Sequence, residues 1–279
     1  MTSENMTPSS ELTVAINAAR KAEQILSSYF SDLASAEIRT KYTNEEFQGV
    51  VTKADIEAER AIVDDIRGQL PDHQFLAEEE HTATLESEHL WVIDPLDGTN
   101  NFAHGIPHFA ISIAYYRKGV PQCGVILNPT NGDLFTTQRG KGSYWNANPV
   151  SVNQHQSLED TMIAVGFYYD RGAMMKATLN AVEALFHQKI HGIRRFGTAA
   201  LDLVQVGLGR FGGYFEYELS PWDFAAARLF VEEAGGTVTT CKGTPLPLEK
   251  SSVLATNSKL HPLILEIVSQ HADFQQPGI

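Results

Sequence analysis

The amino-acid sequence predicts an α+β fold, with a mainly antiparallel sheet in the N-terminal half and a mixed sheet in the C-terminal half. In the N-terminal half, short apolar runs are separated by the turn signals Lys118-Gly119 and Asn131-Gly132, a pattern typical of an antiparallel meander. After Val150, strand-like and helix-like segments alternate, which favours a layered α/β arrangement. The chain has 279 residues, of which 43% are hydrophobic, so it can bury a sizeable core. We therefore predict two domains, residues 1–150 and residues 151–279.

The composition disfavours several classes of protein. The formal net charge is −13, whereas a general nucleic-acid binder needs clustered Lys and Arg, so no nucleic-acid partner is expected. Cys123 and Cys241 are too few for a disulfide framework or a Cys-based zinc site. Residues Met1–Ser10 lack the basic and apolar regions of a signal peptide, and the longest apolar run, Phe109–Tyr116, is too short to span a bilayer. A cytoplasmic protein without a membrane partner is therefore expected.

Two helices are predicted near the start of the chain, on either side of a polar segment. Glu11–Phe30 carries apolar residues at helical spacing, with Ser10 as its capping residue. Ile38–Val51 is polar and is predicted to be a mobile loop or a hairpin near the site. Thr52-Lys-Ala-Asp55 matches a capping box, and the helix that follows should end near Pro71. Asp55 either caps this helix or orients a water molecule or a hydroxyl group.

Three adjacent carboxylates, Glu78–Glu80, follow the predicted strand Phe75–Ala77. On spacing alone they are either a solvated loop or part of a site. A second strand, Trp91–Ile93, ends in Asp94, so Glu78 and Asp94 would lie at adjacent strand ends if the two strands are neighbours. Two carboxylates about 4 Å apart repel each other by ~4 kcal/mol at an effective dielectric constant of about 20. Several carboxylates in one cleft therefore predict a bound cation.

The segment Asp94-Pro-Leu-Asp97-Gly98-Thr99 concentrates most of the candidate chemistry. Asp, Pro and Gly are common turn formers, so the segment can be an ordinary turn, and Pro95 is predicted to stop the pairing of the preceding strand. Two carboxylates at the end of a strand also suit a hard cation such as Mg²⁺, which prefers oxygen ligands. If a helix starts here, the backbone N–H groups of Gly98 and Thr99 can face an anion.

The C-terminal half contains one further candidate ligand and one misleading motif. Ser220-Pro-Trp-Asp223 is a typical helix start with Pro at the first position, so Asp223 either caps the helix or holds a metal ion. Gly207–Gly212 has the spacing of a dinucleotide-binding loop, but a helix precedes it and a strand follows it, the reverse of what that motif needs. The predicted strands are 162–166, 193–196, 214–218 and 253–255, and the predicted helices are 173–187, 198–208, 221–234 and 262–270.

Taken together, these segments resemble the inositol monophosphatase family of magnesium-dependent, lithium-sensitive phosphatases. The likeness spans nearly the whole chain, in the right order and spacing, and includes two segments similar to the family's substrate-binding segments, Arg195–Ala200 and Tyr214–Glu216. It implies a layered αβαβα sandwich of the inositol monophosphatase and fructose-1,6-bisphosphatase type, and a homodimer. The motif-bearing segments are Thr52–Asp55, Phe75–Glu79, Trp91–Pro107 and Ser220–Gly236.

The resemblance also implies roles for individual residues around two to three Mg²⁺ ions. The first ion would be held by Glu78, Asp94 and the carbonyl of Leu96, and the second by Asp94, Asp97 and Asp223. A third, weaker ion would rely on Glu78 and water molecules. Thr99 and Asp55 would orient the attacking water, and Glu79 would support catalysis from behind the metal ligands. The backbone of Gly98 and Thr99 would grip the phosphate, and the substrate would contact Asp97, Thr198, Ala199 and Glu216.

The implied reaction is hydrolysis of myo-inositol monophosphate, a small phosphorylated polyol, by direct in-line attack of an activated water. Asn100-Asn101-Phe102 follows the Asp-Gly-Thr sequence, which is closer to inositol monophosphatases than to the related bisphosphate nucleotidases with Lys-Glu there. Glu216 suits a polyol but would also suit an amine. Histidinol phosphate and fructose 1,6-bisphosphate therefore stay open as alternative substrates, and so does a regulatory, protein- or RNA-binding role on the same fold.

Overall fold

Helices and sheets alternate in five layers. The protein is described by a computed structural model, which covers residues 8–43 and 46–273. A pair of helices, a seven-stranded sheet, a second pair of helices, a five-stranded sheet and a third pair of helices follow one another across the molecule. This arrangement confirms the predicted α+β fold and the αβαβα layering.

The helices that build the layers are α1 (Ser10–Ser31), α2 (Lys53–Gln69), α3 (Thr99–Ala103), α4 (Ala173–His187), α5 (Ala199–Gly207), α6 (Pro221–Glu233) and α7 (His261–Ser269). The strands of a separate hairpin are β1 (Arg39–Thr43) and β2 (Glu46–Val51). The strands of the first large sheet are β3 (Gln74–Ala77), β4 (His89–Asp97), β5 (Ala110–Arg117), β6 (Val120–Asn128), β7 (Asp133–Gln138), β8 (Gly142–Trp145) and β9 (Asn148–Val150). The strands of the second are β10 (Met162–Val165), β11 (Gly192–Arg194), β12 (Gly213–Leu219), β13 (Gly236–Thr239) and β14 (Ser251–Asn257).

The first large sheet follows chain order from β3 to β9. Only its first pair is parallel, and Ala77 lies beside Ile93 there, so the predicted neighbours are indeed adjacent. The prediction that Pro95 stops the pairing was wrong. Strand β4 pairs with β5 through Asp94 opposite Ser112 and resumes at Asp97 opposite Ala110, with an irregularity between them. Because Pro95 lies within this bulge, its missing N–H group removes no regular ladder bond.

The second large sheet has the order β11-β10-β12-β14-β13. Its first three strands run parallel, and β14 runs antiparallel to both β12 and β13, so the sheet is mixed as predicted. Three short strands, β8, β9 and β13, were not predicted. Each has only three or four residues, too few to show a clear alternation of apolar and polar side chains.

The strand β4 is apolar on both faces because it lies between two helical layers. Trp91 and Ile93 pack against α1 and α2, whereas Leu90 and Val92 face α5 and α6. Helix α6 approaches the sheet closely, since a Cβ atom at Gly124 would lie 3.1 Å from the Cα atom of Ala226. Helices α4 and α7 cover the outer face of the second sheet. Helices α5 and α6 therefore join the two sheets, and the division at residue 150 stays a prediction.

Details at the N-terminal end correct or refine the sequence predictions. Ser9, and not Ser10, caps α1, because its Oγ accepts a hydrogen bond from the Leu12 N–H at 3.1 Å. Of the two predictions for 38–51, the hairpin is observed, although residues 44 and 45 lie outside the described part of the chain. Within that described part, no helix is both long and apolar enough to cross a bilayer.

Candidate active site

One cavity of about 300 Å³ lies where the ends of the two large sheets meet around α5 and α6. Most of the predicted site residues are on its wall, although they come from segments far apart in the chain. Two predicted residues, Asp55 and Glu79, are not on the wall and stand behind it. The predicted residues on the wall are Glu78, Asp94, Leu96, Asp97, Gly98, Thr99, Thr198, Ala199, Glu216 and Asp223.

Asp94 and Asp97 flank the bulge of β4, and both side chains are buried. The Leu96 N–H donates to Asp94 Oδ1 at 3.0 Å, which folds the backbone around that carboxylate. Asp97 accepts hydrogen bonds from the N–H groups of Ala199 at 3.3 Å and Ala200 at 2.7 Å, at the start of α5. Asp97 thereby ties the first sheet to the helical layer between the sheets, where the helix N-terminus favours a negative charge.

Asp223 combines the two roles that the sequence left open. Its Oδ2 accepts a hydrogen bond from the Ser220 N–H at 2.7 Å, and Ser220 and Asp223 form a capping box at the start of α6. The same side chain lies on the cavity wall. The cap therefore holds the carboxylate in place, with Pro221 at the first helical position.

The buried carboxylates raise one another's pKa values. Burial, followed by the charges of Glu78, Asp97 and Asp223, raises the pKa of Asp94 well above its usual range. Burial raises the pKa of Asp97 to about 7, against the lowering effect of its hydrogen bonds from α5. Burial and the charges of Asp97 and Glu78 likewise raise the pKa of Asp223. Desolvation and like charge both disfavour the ionised forms, so binding of protons or of a cation would stabilise the cluster.

Thr99 and Asp55 form a second polar group beside the carboxylates. The Thr99 hydroxyl lies 3.1 Å from Asp55 Oδ1 and 3.0 Å from the Leu96 carbonyl oxygen, and it can donate to one of them at a time. Asp55 Oδ2 accepts a hydrogen bond from the Thr52 N–H at 2.8 Å as part of the predicted capping box, and it accepts a second one from the Thr52 hydroxyl at 2.5 Å. Burial raises the pKa of Asp55 to about 7.

Gly98 allows the chain to turn between Asp97 and Thr99. Its φ angle is +94°, in the left-handed region that favours glycine. A Cβ atom at this position would lie 2.6 Å from Thr198 Cγ2, so a side chain would displace the start of α5. The glycine is therefore required for the close approach of two predicted substrate-binding segments.

The wall of the cavity also includes an acidic patch, which we define as Glu216, Asp202 and the hydroxyl of Tyr214. The Tyr214 hydroxyl donates to Glu216 Oε2 at 2.6 Å. Burial raises the pKa of Glu216 to about 7. The carboxylate lies directly against Gly166, where a Cβ atom would be 1.6 Å from Glu216 Oε2. Only a glycine at position 166 leaves room for Glu216 in this orientation.

Comparison with known proteins explains this arrangement. The sequence profile of the family described as "Inositol monophosphatase family" matches residues 8–273. The chain belongs to the inositol monophosphatase family. It is 36% identical to an inositol-1-monophosphatase of Rhizobium meliloti over 95% of this chain and 98% of the relative. It is also 38% identical to the Nus factor SuhB of Salmonella typhimurium, over 89% of this chain and 92% of the relative.

Solved structures agree with the assignment to the inositol monophosphatase family. The extragenic suppressor protein SuhB of Bartonella henselae superposes with a TM-score of 0.86 at 36% identity, covering 94% of this chain and 99% of that structure. The family resemblance and the fold type predicted from the sequence are thus confirmed. The relatives carry two kinds of name, an enzyme and a Nus factor. Membership of this phosphatase family is therefore shown, and the substrate is a separate question.

Inositol monophosphatase family members generally depend on Mg²⁺, and the donor atoms of this cavity fit that ion. They are carboxylate and carbonyl oxygens from Glu78, Asp94, Leu96, Asp97 and Asp223. Over residues 8–43 and 46–273, no three His, Cys, Asp or Glu side chains form a preformed cage around one point. Mg²⁺ does not need such a cage, because it keeps several of its waters and completes its coordination with substrate phosphate.

Two further acidic residues were not predicted as site residues. Glu59 of α2 is fully buried and accepts hydrogen bonds from the N–H groups of Glu79 at 2.7 Å and Glu80 at 2.8 Å. Its Oε1 also lies 2.8 Å from His81 Nδ1. Glu59 thus holds the loop that carries Glu78. The sequence signal for Glu59 was an acid on the apolar face of a helix, and the signal for Asp202 was an acid within the apolar α5.

Proposed function

We propose that the protein is a Mg²⁺-dependent phosphatase that hydrolyses myo-inositol monophosphate to inositol and phosphate by direct attack of water. The observation that carries this proposal is the cavity itself. Buried carboxylates that raise one another's pKa values and the acidic patch around Glu216 lie on the wall of the same 300 Å³ space. This pairing suits a substrate with a phosphate bound near metal ions and hydroxyl groups bound beside them.

The residues expected to hold Mg²⁺ are Glu78, Asp94 and the Leu96 carbonyl for one ion, and Asp94, Asp97 and Asp223 for a second. A third ion would be coordinated by Glu78 and water molecules. When bound, Mg²⁺ would polarise the phosphoryl group, lower the pKa of water and stabilise the departing alkoxide oxygen. Backbone N–H groups hold the carboxylates of Asp94, Asp97 and Asp223 in place, and water and substrate phosphate would complete the ligand set around each ion.

Thr99 and Asp55 would orient the attacking water and hold its proton. The Thr99 hydroxyl can donate its own hydrogen to Asp55 Oδ1 at 3.1 Å, which leaves the threonine oxygen free to accept a hydrogen bond from water. The pKa of Asp55 is raised to about 7, so its carboxylate can take up a proton near neutral pH. Glu79 would act indirectly, through the loop that presents Glu78.

Glu216 would select the alcohol part of the substrate. Tyr214 already donates to Oε2, so the remaining acceptor sites of the carboxylate can bind substrate hydroxyl groups. The backbone around Gly98 and Thr99 would contact the phosphate, while Thr198 and Ala199 would contact the ring. An amine would also suit Glu216, so histidinol phosphate is the first competitor, and fructose 1,6-bisphosphate is the second.

A regulatory role on the same fold is the second candidate function. It is favoured by the Salmonella relative named as a Nus factor, whose likeness extends over 89% of this chain. The two candidates are compatible, and the variant Asp94→Asn separates them. That variant should lose phosphatase activity, whereas a regulatory function that depends only on the folded surface should persist.

Phosphate release from four esters tests the proposal. Wild-type protein is assayed with myo-inositol 1-phosphate, histidinol phosphate, fructose 1,6-bisphosphate and adenosine 3′,5′-bisphosphate, each with Mg²⁺, with EDTA and with added Li⁺. We expect Mg²⁺-dependent, Li⁺-sensitive release that is fastest with myo-inositol 1-phosphate. If that ester ranks last, the proposed substrate is wrong; if no ester is hydrolysed, the proposed activity is wrong.

Light scattering of the same sample tests the homodimer that the family resemblance implies.

A further inference from the structure

Asp202 is a buried acid on the cavity wall for which the mechanism above has no use. Its side chain is 2% exposed, and it lies in α5 between the apolar residues Leu201 and Leu203. The backbone of Phe196 hydrogen-bonds to the carboxylate. Oδ1 is the one buried side-chain nitrogen or oxygen atom without a hydrogen-bond partner in the part of the chain that the structure describes. A buried polar atom in this situation is normally satisfied by a ligand or a water molecule.

The surroundings of Asp202 indicate what kind of group would satisfy Oδ1. Burial raises the pKa of Asp202 well above its usual range, the charges of Asp97 and Glu216 raise it further, and the charge of Arg195 lowers it. Arg195 is exposed and also lines the cavity. An anion is excluded by the neighbouring acids, whereas a hydrogen-bond donor from the substrate would satisfy Oδ1.

Glu216 lies on the same wall and presents a second acceptor. Its Oε2 is held by the Tyr214 hydroxyl and its position depends on Gly166. Two acceptor groups that line one cavity and act on each other electrostatically can each accept a hydrogen bond from one substrate with donors on neighbouring carbon atoms. Cyclic polyol phosphates have such donors, since adjacent ring carbons each carry a hydroxyl group.

We propose that Asp202 is a specificity-determining residue that accepts a hydrogen bond from a second substrate hydroxyl, next to the hydroxyl bound by Glu216. The inference rests on the proposed phosphatase function and adds a requirement to it. The enzyme selects phosphate esters of diols over phosphate esters of simple alcohols. Asp202 contributes to this selection without touching the phosphate or the metal ligands.

Two esters that share a six-membered ring test the proposal. Myo-inositol 1-phosphate carries the ring hydroxyls, and cyclohexyl phosphate lacks them. For Asp202→Ala we expect the ratio of kcat/KM for the inositol ester to kcat/KM for the cyclohexyl ester to fall on the order of 10–100-fold, because a substrate hydroxyl buried against position 202 is left without a hydrogen-bond partner. The loss should appear in KM rather than in kcat. Asp202→Asn keeps an uncharged hydrogen-bonding group, so its ratio should fall only about 3–10-fold.

A surface variant and a thermal melt provide the controls. Asp64→Asn makes the same chemical change on the exposed side of α2 and should leave the ratio unchanged. If both Asp202 variants lower kcat/KM for both esters equally, or fail to fold, Asp202 has a structural role and the proposal is overturned. The same variants are also assayed with histidinol phosphate, and a loss confined to that ester would assign Asp202 to an amine and overturn the proposal.

Failure of the proposed function has a different signature. Wild-type protein would then release phosphate from neither ring ester. In that case the inference is decided by calorimetric binding of the same two esters to wild-type protein and to Asp202→Ala. Tighter binding of the inositol ester that disappears in the variant supports the role of Asp202. Equal binding of both esters to wild-type protein overturns it.

Discussion

Removing the buried acid Glu59 should destabilise the loop that carries Glu78. In the wild-type protein, Glu59 Oε1 faces the Glu80 N–H and His81 Nδ1, and Oε2 accepts from the Glu79 N–H at 2.7 Å. In Glu59→Gln the amide oxygen can replace Oε1. The NH₂ group then replaces Oε2 and faces the Glu79 N–H, which is also a donor. The variant loses one charge-assisted hydrogen bond and leaves a buried donor unpaired. Each effect costs about 1–3 kcal/mol, so the free energy of unfolding should fall by roughly 2–6 kcal/mol.

This cost should appear in both stability and metal dependence. At about 2–4 °C per kcal/mol this cost corresponds to a fall of roughly 4–24 °C in the unfolding midpoint measured by calorimetry. Because Glu59 positions the loop and not the metal ion itself, the Mg²⁺ concentration for half-maximal phosphate release should rise about tenfold, with partial recovery of kcat at high Mg²⁺.

The matched control is Glu57→Gln on the same helix. Glu57 is partly exposed, and it forms a 3.8 Å ion pair with Lys53 and a side-chain hydrogen bond with Tyr29 that a Gln can also accept, so this variant should shift the midpoint by less than about 1–2 °C. If Glu59→Gln melts like the control and shows the wild-type Mg²⁺ dependence, Glu59 does not hold the Glu78 loop, and the reasoning is refuted.

Three further predictions concern the cavity. Asp94→Asn should lower kcat about 100-fold or more at saturating Mg²⁺, because it removes a charge expected to serve both ions; near-normal turnover by a folded variant would reject the ligand assignment. Gly166→Ala should push Glu216 aside, since the added Cβ atom would lie 1.6 Å from its carboxylate oxygen, and should raise KM for myo-inositol 1-phosphate about tenfold; an unchanged KM would contradict this geometry. Burial raises the pKa values of Asp55, Asp97 and Glu216 to about 7. The metal-free folded state therefore binds their protons more tightly than the unfolded chain does, and their contribution to stability is complete below about pH 4 and is lost as the pH rises through about 7. In EDTA the thermal unfolding midpoint should decrease as the pH is raised from about 5 to about 8. Added Mg²⁺ should raise this midpoint more at about pH 8 than at about pH 5. A metal-free midpoint that increases over this pH range would count against the buried acidic cluster.

Local patterns in the sequence were sufficient for most of the secondary structure. The helix predicted at 173–187 is observed as Ala173–His187, and the capping boxes at Thr52 and Ser220 are both present. These features depend on hydrogen bonds between residues a few positions apart, so a short window of sequence contains the necessary information. Errors occurred where a neighbouring strand changed the outcome. Pro95 was expected to stop pairing, but a bulge against β5 absorbs its missing N–H group.

The sequence by itself determined the acidic motifs, their local capping geometry and the family resemblance that assigns them roles. Only the tertiary structure decided which acids share one cavity, because convergence depends on the packing of two sheets around α5 and α6. Asp97 accepts hydrogen bonds from residues more than a hundred positions later in the chain. The sequence alone likewise assigns no role to Glu59 or Asp202. The role of an acid within an apolar helix can be inferred only when its burial and its hydrogen-bond partners are known. Burial, and not composition, raises the pKa values on which the proposed chemistry depends.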